Sequence, residues 1–187
     1  MGGVVPTLRT RRLILRDWTD ADLAPFAELN ADPDVMRYFR TPLDRAASDA
    51  LAERIRTGLR ENGWGLWAVE VVGGAPFIGF VGLAMQSFEA HFTPAVEVGW
   101  RLGRASWGHG YAVEAARAGL DLGFGAGLDE IVSMTSVTNR KSRRVMEKLA
   151  MTHDPADDFE HPALPEGHPL RPHVLYRITA AQPRSQS

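Results

Sequence analysis

The chain has 187 residues, of which 44% are hydrophobic and 24% are charged, a balance typical of globular proteins and not of disordered, collagen-like or coiled-coil chains. We predict a single domain over residues 7–179, followed by a polar tail over 180–187. With 21 basic and 23 acidic side chains the formal charge is −2, which provides no overall attraction to nucleic acids or anionic membranes. The absence of cysteine excludes disulfide frameworks, thiolate zinc sites and cysteine nucleophiles.

The sequence suggests neither a secretion signal nor a membrane helix. The first residues lack the basic region and the long apolar core of a secretion signal. The longest uncharged stretch, Val71–Phe88, contains two further glycines and a proline in addition to its Gly73-Gly74 turn signal, which indicates two strands joined by a turn. We therefore expect a soluble, cytoplasmic protein with no membrane partner.

Apolar periodicity predicts the secondary structure. Leu51, Ile55 and Leu59 recur at four-residue spacing, as on one face of a helix, whereas Val96 and Val98 belong to the alternating pattern of a half-buried strand. Together with turn signals, these patterns predict helices beginning at Thr19 and spanning 44–62, 111–123 and 141–150, strands over 12–16, 64–72, 77–85, 96–102, 131–137 and 173–179, and an irregular proline-rich loop over 155–172. Antiparallel hairpins mixed with one or two helical crossovers predict an α+β layered domain.

A glycine-containing loop between a strand and a helix is the strongest chemical signal. Gly108 and Gly110 allow close backbone approach to a ligand, and the helix start beyond them leaves amides without intrahelical partners. This arrangement favours a phosphate or pyrophosphate site, although an isolated Gly-x-Gly is also compatible with an ordinary helix cap. A Walker sequence is missing, and Val113 stands where a dinucleotide fingerprint needs glycine. The phosphate is therefore not expected to belong to a nucleoside triphosphate or NAD.

Three segments in combination resemble the GNAT superfamily of acyl-CoA-dependent N-acyltransferases: Glu97–Trp100, Trp107–Ala112 and Asn139–Leu149. The most similar branch is the one named for ribosomal-protein N-acetyltransferases. The resemblance extends over roughly residues 7–151. It implies a GNAT fold, with a mixed, mostly antiparallel, V-splayed sheet flanked by helices.

The resemblance also implies acetyl-CoA as co-substrate, with no metal. The family's loop pattern, Gln/Arg-x-x-Gly-x-Gly/Ala, is met by Trp107, Gly110 and Ala112, with tryptophan replacing the polar residue. The loop would hold the pyrophosphate, and the strand before it would receive the pantetheine arm. The residues expected to bind the coenzyme are Val98, Trp100, Leu102, Trp107, Gly108, His109, Gly110, Tyr111, Ala112, Asn139 and Ser142.

Acyl transfer to an amine requires a neutral amine, a donor for the carbonyl oxygen and departure of the thiolate. At pH 7 an α-amine must lose its proton against about one pKa unit, a lysine amine against about 3.4. We predict Glu97 as the base, directly or through water, the alternative being a surface or arginine-paired carboxylate. By resemblance, a strand amide near Val98–Trp100 would be the donor. Met146 stands where the family often has a tyrosine that acts as the general acid. The proton would then reach the thiolate from Ser142, from a water or from no group at all, and we predict Ser142.

The acceptor is expected to be a primary amine, either a peptide N-terminus or a small molecule, bound near Glu97 by Trp18 and Phe39. A monomer or a homodimer would suit this activity. A catalytically weak acyl-CoA sensor or interaction module of the same fold is the alternative that the missing tyrosine leaves open. Nucleic-acid binding is disfavoured by the balanced charge. A metal site is disfavoured because the histidines of the proline-rich loop lack ligand spacing.

Overall fold

The computed structural model describes residues 5–181, so most of the predicted tail, residues 182–187, lies outside the described residues. Its strands form one sheet in the order β1-β2-β3-β4-β5-β6-β9-β7, with β8 also on β9. Neighbouring strands are antiparallel, except that β5 and β6 are parallel. The strands are β1 Leu8–Arg9, β2 Leu13–Arg16, β3 Leu66–Val71, β4 Gly79–Gln86, β5 Ala95–Leu102, β6 Glu130–Ser136, β7 Thr152–His153, β8 Phe159–Glu160 and β9 Pro172–Thr179. The predicted mixed, mostly antiparallel α+β fold is confirmed.

Four α-helices flank the sheet, near their predicted positions: α1 Leu23–Ala31, α2 Arg45–Asn62, α3 Tyr111–Gly125 and α4 Arg140–Lys148. Local chemistry sets their ends. The Asp44 carboxylate accepts the Ala47 N–H at the start of α2, and Gly63, at φ +71°, ends it. Thr19 is an N-cap, as predicted, and its amide donates to the Asp22 carboxylate at 2.8 Å; the turn that it caps, Asp20–Asp22, is a 3-10 helix, and α1 follows it. No helix within residues 5–181 has the length and apolar character needed to cross a membrane.

The two faces of the sheet are covered by different helices. Phe80 of β4 contacts Phe26 of α1 at a ring-centroid distance of 6.0 Å, so α1 lies on the face that Phe80 occupies. On the opposite face, Gly123 of α3 approaches Leu83 so closely that a Cβ there would lie 2.9 Å from a leucine methyl group. Glycine at this position allows α3 to lie directly against the sheet.

The proline-rich segment is more ordered than predicted. Residues Pro155–Asp157 form a 3-10 turn, and β8 pairs with β9 beside it. The prediction of a wholly irregular loop over 155–172 is therefore wrong for these residues. A strand of two residues is too short to show the alternation of apolar and polar residues that identifies a strand. It forms because the long strand β9 offers it backbone partners.

The sheet opens between its two central parallel strands. β5 and β6 pair only at Glu97 and Val132, whereas β6 pairs along its whole length with β9. Just beyond that pair the Ser133 hydroxyl donates to the Val98 carbonyl at 2.9 Å. The expected V-shaped opening is thus present, and it begins at Glu97.

Candidate active site

A cleft of about 1020 Å³ occupies the opening of the sheet. It is bordered by β5, β6, the start of α3, one side of α4 and the segment after α1. Its lining includes most residues predicted to bind coenzyme or acceptor: Phe39, Glu97, Trp100, Leu102, Trp107, Gly108, Gly110, Tyr111, Ala112, Asn139 and Ser142. The structure therefore brings segments that are far apart in sequence into one site.

The start of α3 presents backbone donors at the cleft. Gly110 is the N-cap residue at φ +79°, and Gly108 has φ +80°, a conformation that side chains other than glycine rarely adopt. The first helical hydrogen bond joins the Glu114 N–H to the Gly110 carbonyl. The preceding amides, from Tyr111 to Val113, have no intrahelical acceptor and carry the positive end of the helix dipole. This arrangement suits a phosphate group.

Trp107 explains how the loop tolerates an aromatic residue in place of a polar one. Its indole N–H donates to the Leu102 carbonyl at 2.8 Å, which fastens the loop to the end of β5. The Lys141 ammonium lies 4.0 Å from the centroid of the Trp107 ring system, within the range of a cation–π contact. The tryptophan thus holds a cation from α4 against the loop that leads into α3.

An ion pair fastens the other side of the same loop. Arg12 lies 2.7 Å from the Glu114 carboxylate, which also accepts from the Thr10 hydroxyl at 2.6 Å. Burial acts to raise the pKa of Glu114, but these hydrogen bonds hold it below its ordinary value. The carboxylate is therefore ionised and neutralised by Arg12, so it adds no free negative charge to the phosphate loop.

Glu97 lies half-buried at the apex of the cleft. Burial raises its pKa to about 7, against the opposing effect of two donors, the Met134 amide and the Gln86 side chain. The Gln86 Nε2 donates to the carboxylate at 2.7 Å. Near neutral pH the carboxylate exists in both protonation states, as a general base requires.

Asn139 and Ser142 form a hydrogen-bonded pair at the start of α4. The Asn139 side chain accepts from the Ser142 amide at 3.2 Å and donates to the hydroxyls of Ser142 and Thr135. Its two N–H groups are thus used within the protein, and its position is fixed. Ser142 Oγ accepts from Asn139. Its own proton has no acceptor in the described part of the chain, so the hydroxyl can donate into the cleft.

A backbone donor also faces the opening. The Val98 carbonyl accepts from Ser133 of β6, so the peptide groups of Val98 and, two residues on, Trp100 point toward β6. The β5–β6 pairing has already ended at Glu97. The Trp100 N–H therefore projects into the gap between the diverging strands.

The comparisons with known proteins identify the family. Residues 12–152 match the family model described as an acetyltransferase (GNAT) domain. The chain belongs to the GNAT acetyltransferase family. It is 34% identical over 146 residues to the uncharacterized protein YkkB of Bacillus subtilis (77% of this chain, 84% of that protein). It is 30% identical over 158 residues to the FsC-acetyl coenzyme A-N(2)-transacetylase of Aspergillus fumigatus (79% and 66%).

Solved structures share the GNAT fold. An acetyltransferase from Agrobacterium tumefaciens superposes with a TM-score of 0.74 at 29% identity, covering 95% of this chain and 96% of that one. YncA from Salmonella typhimurium, a putative acetyltransferase solved with acetyl-CoA, superposes with a TM-score of 0.66 at 16% identity (94% and 98% covered). At that identity the second likeness concerns the fold alone.

Three residues of the predicted site lie outside the cleft lining. Trp18 is 2% exposed, contacts Phe26 at 4.9 Å and donates its indole N–H to a backbone carbonyl, so its prediction as an acceptor-binding residue is wrong. The Val98 side chain is fully buried in the core, which leaves only its backbone for the cleft. His109 stacks on Tyr111 with ring centroids 5.3 Å apart, outside the lining.

Other residues that line the cleft were not predicted from the sequence. Gln86 and Arg101 were not predicted to contribute, although the β4–β5 hairpin places Gln86 two residues along from the partner of Glu97. Knowledge of that register would have indicated Gln86. His161 and His173 also line the cleft, with ring centroids 4.9 Å apart, and burial lowers the pKa of each. Within residues 5–181 no three potential ligands are grouped to hold a metal ion.

Proposed function

We propose that this GNAT protein is an acetyl-CoA-dependent N-acetyltransferase that moves an acetyl group directly from the thioester to a primary amine, either a peptide N-terminus or a small molecule. The observation that carries the proposal is the position of Glu97. A carboxylate with a pKa of about 7 lies in the same cleft as the free amides of α3. A base and an anion site in one cleft fit an amine acceptor and a phosphate-bearing acyl donor.

The residues present fit the coenzyme. The amides of Tyr111, Ala112 and Val113 would hold the pyrophosphate, and Lys141 would add a positive charge beside them. Ser142 lines the same cleft and can donate to the coenzyme from the α4 side. Acetyl-CoA supplies the acetyl group in activated form, as a thioester.

Glu97 takes the proton of the acceptor amine. An α-amine has a pKa of about 7.7–8.0, close to the pKa of about 7 of the carboxylate, so little free energy is needed for the transfer. A lysine amine, at about 10.4, is a poorer match. The Trp100 N–H faces the gap and donates to the carbonyl oxygen as negative charge develops there.

Ser142 stabilises the departing sulfur. Its hydroxyl accepts from Asn139 and keeps its own proton for the cleft, so it can donate to a thiolate. Asn139 acts as a positioning residue, because both of its N–H groups are held within the protein.

Calorimetric titration with acetyl-CoA and thiol release with amine acceptors test the proposal. We expect micromolar binding by the wild type and loss of binding in Gly110→Glu, which places a carboxylate among the free amides. Glu97→Gln should bind acetyl-CoA normally but lose about 100-fold or more in kcat/KM.

The outcomes separate an enzyme from a binding module. Coenzyme binding without thiol release for any amine, in both wild type and Glu97→Gln, would favour the acyl-CoA sensor. Failure to bind acetyl-CoA, longer acyl-CoAs or free CoA would exclude both functions.

A further inference from the structure

Arg101 is a cation in the wall of the cleft that the proposed chemistry does not use. It lies on β5 opposite Phe80 of β4, and strand alternation places it on the same face as Glu97 and Gly99. Its guanidinium carbon is 4.0 Å from the ring centroid of Phe39 and 5.4 Å from that of Phe80. The charge is thus held between two aromatic rings.

The Arg101 guanidinium has a neutral partner and no carboxylate. One terminal nitrogen donates to the Asn30 side-chain oxygen at 2.7 Å, whereas Nε is buried with no hydrogen-bond partner. No ion pair to Arg101 is formed among residues 5–181. Burial lowers its pKa to about 10, which leaves it charged at neutral pH. A buried charge without a counterion is costly unless a ligand compensates it.

A buried polar chain holds Arg101 in place. Asn30 is fully buried and donates to the hydroxyl of Ser48, itself fully buried, at 2.9 Å. The chain runs from α2 through α1 to the cleft, through an otherwise apolar layer. Such a chain orients the guanidinium before any ligand arrives.

The phosphates of the coenzyme are not the missing anion. The free amides belong to α3, which packs on the other face of the sheet, against Leu83. Arg101 lies on the α1 face, beside Phe80. The anion must therefore come from a molecule that enters over Gly99, where a Cβ would meet no atom within 4 Å.

We propose that Arg101 binds a carboxylate of the acceptor, so that the substrates are small primary amines that also carry a carboxylate. This inference rests on the proposed acetyl transfer. The acceptor would lie over Gly99, its amine toward Glu97 and its carboxylate toward Arg101. Four residues of strand separate the two Cα atoms by about 13 Å, and both side chains extend over the same face of β5, so one small molecule can reach both.

The edge of the guanidinium that has no hydrogen-bond partner fits a carboxylate. Nε and its neighbouring terminal nitrogen form the fork that binds a carboxylate through two parallel hydrogen bonds. The other terminal nitrogen is already held by Asn30. Phe39 packs against the guanidinium and is itself 40% exposed. Because Nε is buried, binding of the carboxylate requires this ring to move.

The test compares alanylphenylalanine as the free acid and as the carboxamide, by kcat/KM and by calorimetric binding to the CoA complex. We expect the wild type to favour the acid by about 10- to 100-fold, as for a charge-assisted hydrogen bond. Arg101→Gln should bring this ratio to about one, and Arg101→Lys to an intermediate value. Arg104→Gln is the matched control, since Arg104 pairs with Asp34 at 2.6 Å and is 59% exposed; it should keep the wild-type ratio.

Equal treatment of acid and carboxamide by the wild type would overturn the inference, whether or not the variants fold. So would an Arg101→Gln protein that keeps the preference. If both compounds are acetylated equally, the proposed function stands and only the carboxylate subsite fails. If neither is acetylated but the acid binds more tightly in an Arg101-dependent way, the subsite stands and the transferase activity fails.

Discussion

At the scale of single residues, Glu97, the base that we propose, has a pKa suited to proton transfer near neutral pH. Burial raises its pKa, and the donors Met134 and Gln86 lower it, leaving a value of about 7. Burial outweighs the two hydrogen bonds because the carboxylate is enclosed where the strands diverge. A small change in either donor should therefore shift the pH range in which the base is ionised.

Gln86→Leu should move the acidic limb of the pH–rate profile to higher pH. Leucine removes a hydrogen bond that favours the ionised form, so the pKa of Glu97 rises, by up to about one unit. As the base works when ionised, activity is lost as pH falls through that pKa. The measurement is kcat/KM against pH with one acceptor, beside a carbon NMR titration of the glutamate carboxylates. An unchanged midpoint would show that Gln86 does not adjust the base.

The cleft residues predicted from the sequence are those that belong to local motifs, whereas those that tertiary packing supplies were not predicted. Glu97 and Gly110 were predicted because their segments resemble a known loop and strand. Gln86 and Arg101 have no such motif, and only the hairpin register and the face of the strand reveal them. Trp18 was misplaced for the same reason, since its sequence position does not show that its ring enters the core.

At the scale of elements, the contact between β4 and β5 depends on glycine. Gly79 has φ +130°, and a Cβ there would overlap the backbone carbonyl of Arg101. The two strands approach so closely at this point that no side chain fits between them. The same contact supports the stretch of β5 that carries Arg101 and Leu102.

Gly79→Ala should lower the free energy of unfolding by about 2–4 kcal/mol, because backbone strain and a backbone overlap are combined. Gly58→Ala is the matched control. Gly58 lies inside α2 with open space around its Cα, so alanine should stabilise the protein by about 0.5–1 kcal/mol. Urea unfolding of the two variants measures both effects. If both variants changed the free energy of unfolding equally and in the same direction, the close contact at Gly79 would be contradicted.

Helices and strands were predicted accurately where the pattern of apolar residues is long. The helices α2 and α3 and the strand β5 end within about two residues of their predicted limits. The strands β1, β7 and β8 have two residues each, and no period can be recognised over so short a distance. They form because longer neighbouring strands offer backbone partners. The sequence does not show which strands are neighbours.

At the scale of the whole molecule, the small net charge does not show that the cleft is locally basic. The chain carries −2 overall, yet the cleft lining contains two acidic side chains against six basic ones. The acids are Asp34 and Glu97; the bases are Arg37, Arg40, Arg101, Lys141, Arg144 and Lys148. The balanced composition could not show that cations converge on one cavity.

Acetyl-CoA binding should therefore weaken as salt rises. Raising KCl from 50 to 500 mM should reduce the affinity several-fold, since screening weakens contacts between exposed charges and phosphates. Lys141→Gln should reduce this salt dependence. Arg45→Gln should not, because Arg45 pairs with Asp49 on the exposed side of α2. Calorimetry at four salt concentrations measures the slopes, and a flat response in the wild type would refute a charge-assisted site.

The single pair between Glu97 and Val132 has a mechanical consequence. Among residues 5–181 it is the one register pair that joins strands β1–β5 to strands β6–β9, with the Ser133–Val98 hydrogen bond beside it, and the chain passes from β5 to β6 through α3. A ligand that hydrogen-bonds to the unpaired backbone groups of both strands would replace the missing pairs, as an added strand does. Because Glu97 lies at the one paired position, such a ligand would join the two parts of the sheet beside the proposed base.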